Sequence, residues 1–181
     1  MKKIVLTFGL ISGVIIAALM WLMLAMMKAG VANSDHGDYA LIWGYATMII
    51  ALSLVFFGIK SYRDNNGGRI TFFKGLQVGI LISLISAVCY GISWEAYYRT
   101  SGADFMRQYS ASYIDKMRAK GASDAEIADT QKQMDQFAEL YKNFFVRFGM
   151  TLMEILPVGI VVTLISAALL RKSTMLPAEP A

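Results

Sequence analysis

Two carboxylic acids, Glu95 and Glu154, lie inside otherwise apolar runs. An ionised side chain there is costly and is a candidate for function by default. Glu154 stands seven residues beyond Arg147, about 10 Å deeper along a helix at 1.5 Å per residue, too far in for its side chain to reach water easily. Pro157 follows three residues later, and its missing N–H deprives the Met153 carbonyl of its helical partner. A carboxyl beside a free carbonyl can hold a proton or a cation. The plainer reading, and the favoured one, is a buried acid that is neutral or paired and locks helix packing. Glu95 stands four residues before Arg99, the spacing of a helical ion pair, and is expected to pair with it. If the helices carrying the two acids adjoin, one carboxyl is expected to keep a proton, because like charges in a poorly solvated site resist double ionisation.

Other chemistry has few parts to draw on. Asp35, His36 and Asp38 are three loop neighbours without a fourth ligand, a poor cage for a metal, and a solvated loop is expected instead. With one histidine and one cysteine, Cys89, the chain has no triad, no internal disulfide and no cysteine cluster. No metal, no cofactor and no catalytic residue are therefore expected, and the protein is read as not an enzyme.

The elements that must position these residues follow from the distribution of charge. The chain is 56% hydrophobic and 17% charged, and the shortfall of charge falls in four apolar runs rather than evenly. Each run is long enough for the roughly 20 helical residues that cross a bilayer. The spans read as about 4–27, 39–59, 76–98 and 148–170, all within one membrane domain, 1–172. A signal peptide is the rival for the first run, with Gly30-Val31-Ala32 as a cleavage site. The run is 24 residues long, against about 7–15 for a signal's apolar region, so a span is expected. Tyr39, Trp43 and Tyr45, and at the far end of the third span Trp94, Tyr97 and Tyr98, read as interfacial aromatic belts.

The chain pivots on the stretch 58–79. Lys60, Arg63, Arg69 and Lys74 surround a single acid, Asp64, and Asn65-Asn66-Gly67-Gly68 signals a turn. Tyr62, Arg63, Asp64, Arg69 and Lys74 are assigned to a loop that sets topology, with docking and contact to anionic lipid as the sharper reading. Beyond it, Gly75, Gly79, Ser83, Ala87 and Gly91 recur every four residues. This makes a ridge along which another helix packs closely. Gly9 and Gly13 offer a shorter version in the first span.

The only sizeable polar segment is 99–147. A helix is expected from Ser101 to Gly121, where glycine caps it. Ser123 and Glu126 form a capping box that starts a second. Ile127, Thr130, Met134, Phe137, Tyr141, Phe144 and Phe148 then alternate by three and four, the seam of an antiparallel hairpin with these side chains inside. With no breaker before Pro157, the second helix is expected to run unbroken into the fourth span. Residues 173–181, with two of the three prolines, are expected to be a disordered tail.

Four spans return both termini to one side, and the short basic segments gather there. The positive-inside rule makes that side cytoplasmic. The hairpin carries eight Lys or Arg but also seven acids, and as a long structured segment it falls outside the rule, so it is assigned to the extracytoplasmic side. The net charge of +4 flanks spans, so a lipid bilayer and not nucleic acid is the expected partner.

Gly58-Ile59-Lys60-Ser61-Tyr62-Arg63-Asp64, Gly67-Gly68, Thr71-Phe72, Glu154-Ile155-Leu156-Pro157-Val158-Gly159 and Leu170-Arg171-Lys172 together resemble the bacterial membrane proteins grouped as domain of unknown function 4199. The resemblance covers nearly the whole chain, and the Tyr-Arg-Asp segment is its most specific part. It implies four spans with a polar insert before the last and a bacterial inner-membrane location. It implies no activity, substrate or catalytic residue. The expected fold is thus an all-α integral membrane protein with four transmembrane helices and a helical hairpin between the third and fourth. Its expected function is non-enzymatic interaction or assembly, with a protein partner on residues 99–147. The alternative is a small homo-oligomeric proton-linked transporter or channel that uses Glu154.

Overall fold

The computed structural model describes residues 1–29 and 37–171; the side chains of residues 37–41 and 103 are outside the description. The Gly30-Val31-Ala32 segment, the loop containing Asp35 and His36, Lys172 and the tail 173–181 also lie outside the described residues. Six helices and no strand occur among the described residues: α1 (Lys2–Lys28), α2 (Gly37–Leu52), α3 (Leu54–Asp64), α4 (Phe72–Ala119), α5 (Asp124–Tyr141) and α6 (Phe144–Leu170). They divide into two compact units. One comprises Met1–Ile92 and the segment from Leu152 onward, and the other comprises Ser93–Thr151.

Four segments are long and apolar enough to cross a bilayer: Lys2–Lys28, Ile42–Asp64, Phe72–Gly102 and Phe144–Leu170. No more than 44% of the most apolar stretch of any of them is buried, and the outward residues include Val14, Ile42, Ile50 and Ile165. Apolar surface on that scale is stable against lipid rather than water. The architecture is that of an all-helical multi-pass membrane protein.

In the first unit the contacts fix helix directions. Ser12 Oγ donates to the Ala51 carbonyl at 2.8 Å, and Gly58 faces Phe8, so the second span runs antiparallel to α1. Gly9 meets Ile85 and Gly13 meets Cys89, so α4 runs parallel to α1. Gly75 meets Ala167, Gly79 meets Thr163 and Ser83 meets Gly159, so α6 runs antiparallel to α4. This is the up-down-up-down order that four crossings require. All five residues of the α4 ridge are buried. Gly75, Gly79 and Ser83 meet a second row at the same spacing on α6, Ala167, Thr163 and Gly159. Two rows of small side chains let the backbones approach, and close packing replaces the hydrophobic effect that lipid does not supply. Around the seam lies the apolar core, with Leu52, Val55, Ile59, Val78, Ile82 and Ile155 fully enclosed. Buried hydroxyls return to helix carbonyls: Ser86 to Ile82 at 2.9 Å and Ser166 to Val162 at 2.7 Å. That removes the cost of an orphan donor.

The second span is interrupted at Ser53, between α2 and α3. Tyr62, Arg63 and Asp64 belong to the last turn of α3 rather than to a loop. The loop proper begins at Asn65. Gly67 and Gly68 take φ of 73° and 74°, and the Gly68 and Asn66 amides both donate to the Arg63 carbonyl. The side-chain amides of Asn65 and Asn66 take the Ser61 and Tyr62 carbonyls. The loop residues thereby satisfy the carbonyls that the helix end orphans. Asp64 is held by Lys60 at 2.7 Å and Arg63 at 2.9 Å. Arg63 is 1% exposed, so it does not offer its charge outward. Arg69 is exposed, and Lys74 Nζ bonds Gln77 Oε1 at 2.9 Å.

In the second unit α4 continues without a break through Arg99–Ser101, where a separate hairpin helix was expected to start. The onset of polar residues marks a change of surroundings, not the end of a helix. Gly102 does not interrupt it; a Cβ there would strike the Tyr98 ring, so the glycine makes room for that ring. The turn is as expected: Gly121 has φ 80°, the Ala122 amide bonds the Met117 carbonyl, and the Gly121 amide bonds that of Arg118. At the start of α5 the Ser123–Glu126 capping box is complete. The Ser123 backbone amide, then its hydroxyl, hold the Glu126 carboxyl below the ordinary carboxylate range. A lowered value stabilises the helix start above the ordinary range, and the contribution is lost as pH falls through the lowered value. In Ser123→Ala, hydrogen exchange of the first-turn amides of α5 is expected to rise about fivefold, matching the ~1 kcal/mol of a lost cap. Unchanged exchange would show that the cap does not hold this turn.

Two expectations for the hairpin are corrected. The second helix does not run unbroken into the fourth span: α5 ends at Tyr141 and α6 begins at Phe144. Asn143 Oδ1 accepts from the Phe145 and Val146 amides at 2.9 and 3.4 Å, an N-cap that stops one helix and starts the next. The seam is also only partly enclosed. Thr130, Met134 and Tyr141 are half-buried, but Phe137 and Phe144 are exposed, and α5 has no fully buried residue. One facing helix covers a narrow strip, and side chains away from that strip stay open.

Candidate functional site

The densest polar site of the second unit joins three helices at the α5–α6 break. The Arg147 guanidinium meets the Glu95 carboxylate in a fork: Nε to Oε1 and Nη2 to Oε2, both at 2.6 Å. Its third nitrogen, Nη1, donates to the Tyr141 and Lys142 carbonyls at 2.8 and 3.2 Å. The Tyr98 ring lies 3.9 Å from the guanidinium carbon. Glu95 and Arg147 are 7% and 5% exposed. Trp94 Nε1 donates to the Tyr141 hydroxyl at 2.9 Å, and Tyr98 and Phe137 pack on the Tyr141 ring.

The local structure explains why an arginine sits here. Arg147 lies in the first turn of α6, where the helix dipole disfavours a cation. Glu95 reaches it from α4, and the last carbonyls of α5, the negative end of that helix, reach it from behind. Only a planar fork presents donors in both directions at once. The site is a clasp. It fixes the α5–α6 corner against α4, and both carboxylate oxygens and all three guanidinium nitrogens are engaged. It offers no free base or nucleophile.

Glu95 is therefore paired with Arg147, not with its helical neighbour Arg99, which is exposed. Sequence reasoning missed this partner because it lies 52 residues away. The available signal was Arg147 itself, a lone cation at the edge of the fourth apolar run, with Asn143 four residues before it as a capping residue.

Glu154 behaves differently. Its side chain is exposed on α6, and no described residue hydrogen-bonds or ion-pairs with it. The helix continues through Pro157. Among the described residues Glu154 is neither buried nor paired. Of the ridge residues, Gly75, Gly79 and Ser83 meet α6, and Ala87 and Gly91 are buried on α4. Among the described residues no three His, Cys, Asp or Glu side chains converge in a metal-binding group.

Compared with known proteins, the chain matches over residues 7–172 the family described as "Protein of unknown function (DUF4199)". No curated protein matches it, and neither does any solved structure.

Proposed function

The chain belongs to that family of unknown function, DUF4199, and on that footing we propose that it is a non-enzymatic membrane protein whose α4–α5 hairpin docks a protein partner. The observation that carries this reading is the open hairpin surface. α5 buries none of its residues fully, and Tyr109, Tyr113, Phe137 and Leu140 stay exposed, Leu140 at 59%. The clasp and the Gly121 turn tie this surface to α4, and pre-organisation lowers the cost of binding. The basic segments at 60–74 and the lysines at 2 and 3 support a cytoplasmic position for the termini, with the hairpin on the far side of a bacterial inner membrane.

A photocrosslinking amino acid at Leu140, in growing cells, tests the reading. A discrete adduct with another protein is expected at Leu140 and not at the polar position Asp129. Equal or absent adducts at both positions would sink it. A cysteine in place of Asp129 should also react with an impermeant maleimide added outside intact cells, and failure to do so would reverse the assigned orientation.

The second reading is a homo-oligomeric proton-linked transporter or channel. It rests on Glu154, an acid inside a span that hydrogen-bonds or ion-pairs with no described residue. Glu154→Gln in liposomes should then abolish proton flux, and unaltered flux would dispose of it.

A further inference from the structure

We propose that the outward face of α6 is a contact between two copies of this chain, in which the Glu154 carboxyls of the two copies hydrogen-bond to each other across a two-fold axis. The inward face of α6, with Ile155, Gly159, Thr163 and Ala167, is used up within the chain. The outward face presents Met153, Glu154, Pro157, Val161, Leu164 and Ile165, with Met153 77% exposed.

Two polar groups on this face sit at a depth where lipid supplies no partner. The Glu154 side chain contacts no polar group of a described residue, and Pro157 withholds the N–H that the Met153 carbonyl would take in an unbroken helix. Glu154 is ten residues from the start of α6 and sixteen from its end, roughly 15 and 24 Å at 1.5 Å per residue. Hydrocarbon hydrates neither group, so leaving either unsatisfied there is costly.

The chemistry of the carboxyl names the occupant. A neutral carboxylic acid is one donor and one acceptor, so an identical acid is its complement and two O–H···O bonds close between them. Copies inserted in the same orientation are related by an axis along the membrane normal, and equal positions meet at equal depth. A second copy thus brings the matching group to the matching level without burying a charge. Val161, seven residues on and two turns away on the same face, meets its own counterpart. The contact supplies the oligomer that the proton-linked reading requires, but it stands without it, since a static dimer needs no flux.

Disulfide trapping of the full-length chain in native membranes tests this. In a Cys89→Ala background, Val161→Cys is compared with Val14→Cys, an equally outward position on α1 that is 64% exposed. After oxidation with copper phenanthroline, linked dimer is expected to be at least fivefold more abundant from position 161. Adding Glu154→Leu should cut it to the level of position 14. Glu154→Gln, whose amide still donates and accepts, should retain it. Equal dimer at 161 and 14, dimer at 161 that survives Glu154→Leu, or linkage of 161 to a different protein would each overturn the proposal. The comparison of 161 with 14 keeps Glu154 intact, so it decides even where the leucine variant fails to accumulate. Hairpin docking can fail without altering this readout.

Discussion

Arg147→Ala is expected to loosen the α5–α6 corner by about 3–5 kcal/mol, the cost of breaking a buried ion pair by removing one partner. Most of that cost falls on what stays behind. Glu95, 7% exposed in the parent chain, loses its fork, and the Tyr141 and Lys142 carbonyls lose a donor at the same time. Hydrogen exchange of the amides from 141 to 147, in mild detergent, should rise more than a hundredfold. Arg147→Lys should recover only part. One ammonium cannot present a fork to Glu95 and still reach two carbonyls behind it. Glu95→Met combined with Arg147→Met removes both charges and should lie closer to the parent than either single change. Full recovery is not expected, because the carbonyls remain uncapped. If Arg147→Ala leaves exchange at the corner unchanged, the clasp does not hold the hairpin.

The contrast between this clasp and the rest of the fold shows what a sequence can disclose. The α4 ridge, the Gly121 turn and the Ser123–Glu126 box are all legible, because each is a relation among residues a few positions apart on one element. Spacing alone places Gly75 to Gly91 on one face, and only a close neighbour gives five small residues in register a purpose. The clasp depends instead on which helices meet. Arg99 was the nearest cation to Glu95, and nothing local distinguishes it from Arg147. The break before Phe144 was missed for a related reason. Neither proline nor glycine marks it; Asn143 marks it, and a cap is recognisable only where a helix is already suspected to begin. Glu154 was legible as an anomaly, but not the direction it faces, since that is set by the Gly159–Thr163–Ala167 row claiming the opposite side of α6.

Gly79→Leu is expected to separate α4 from α6. A Cβ at Gly79 runs into the Thr163 methyl, stands 2.8 Å from its hydroxyl, and comes within 3.0 Å of Ile59 Cδ1. Leucine adds three further carbons to a space already filled by the first. Overpacking of this kind costs about 1–3 kcal/mol and sometimes more, and lipid offers no hydrophobic compensation for restoring the contact. In an SDS titration from mild detergent, the midpoint of helix-packing loss should fall markedly for Gly79→Leu and less for Gly79→Ala. Helix propensity pulls the other way, since alanine is better than glycine by roughly 1 kcal/mol, and Gly44 isolates that term. Nothing lies within 4 Å of a Cβ there, so Gly44→Ala should be neutral or slightly stabilising. Thr163→Ala placed with Gly79→Ala removes both of the Thr163 atoms that collide, leaving only the flexible tip of Ile59 to yield, and should return the midpoint most of the way. Rescue of that kind depends on the two positions touching. If the leucine variant keeps the parent midpoint, or the double variant is no better than Gly79→Ala alone, the two rows of small residues do not face each other and the outward face of α6 proposed as the contact between copies loses its basis as well.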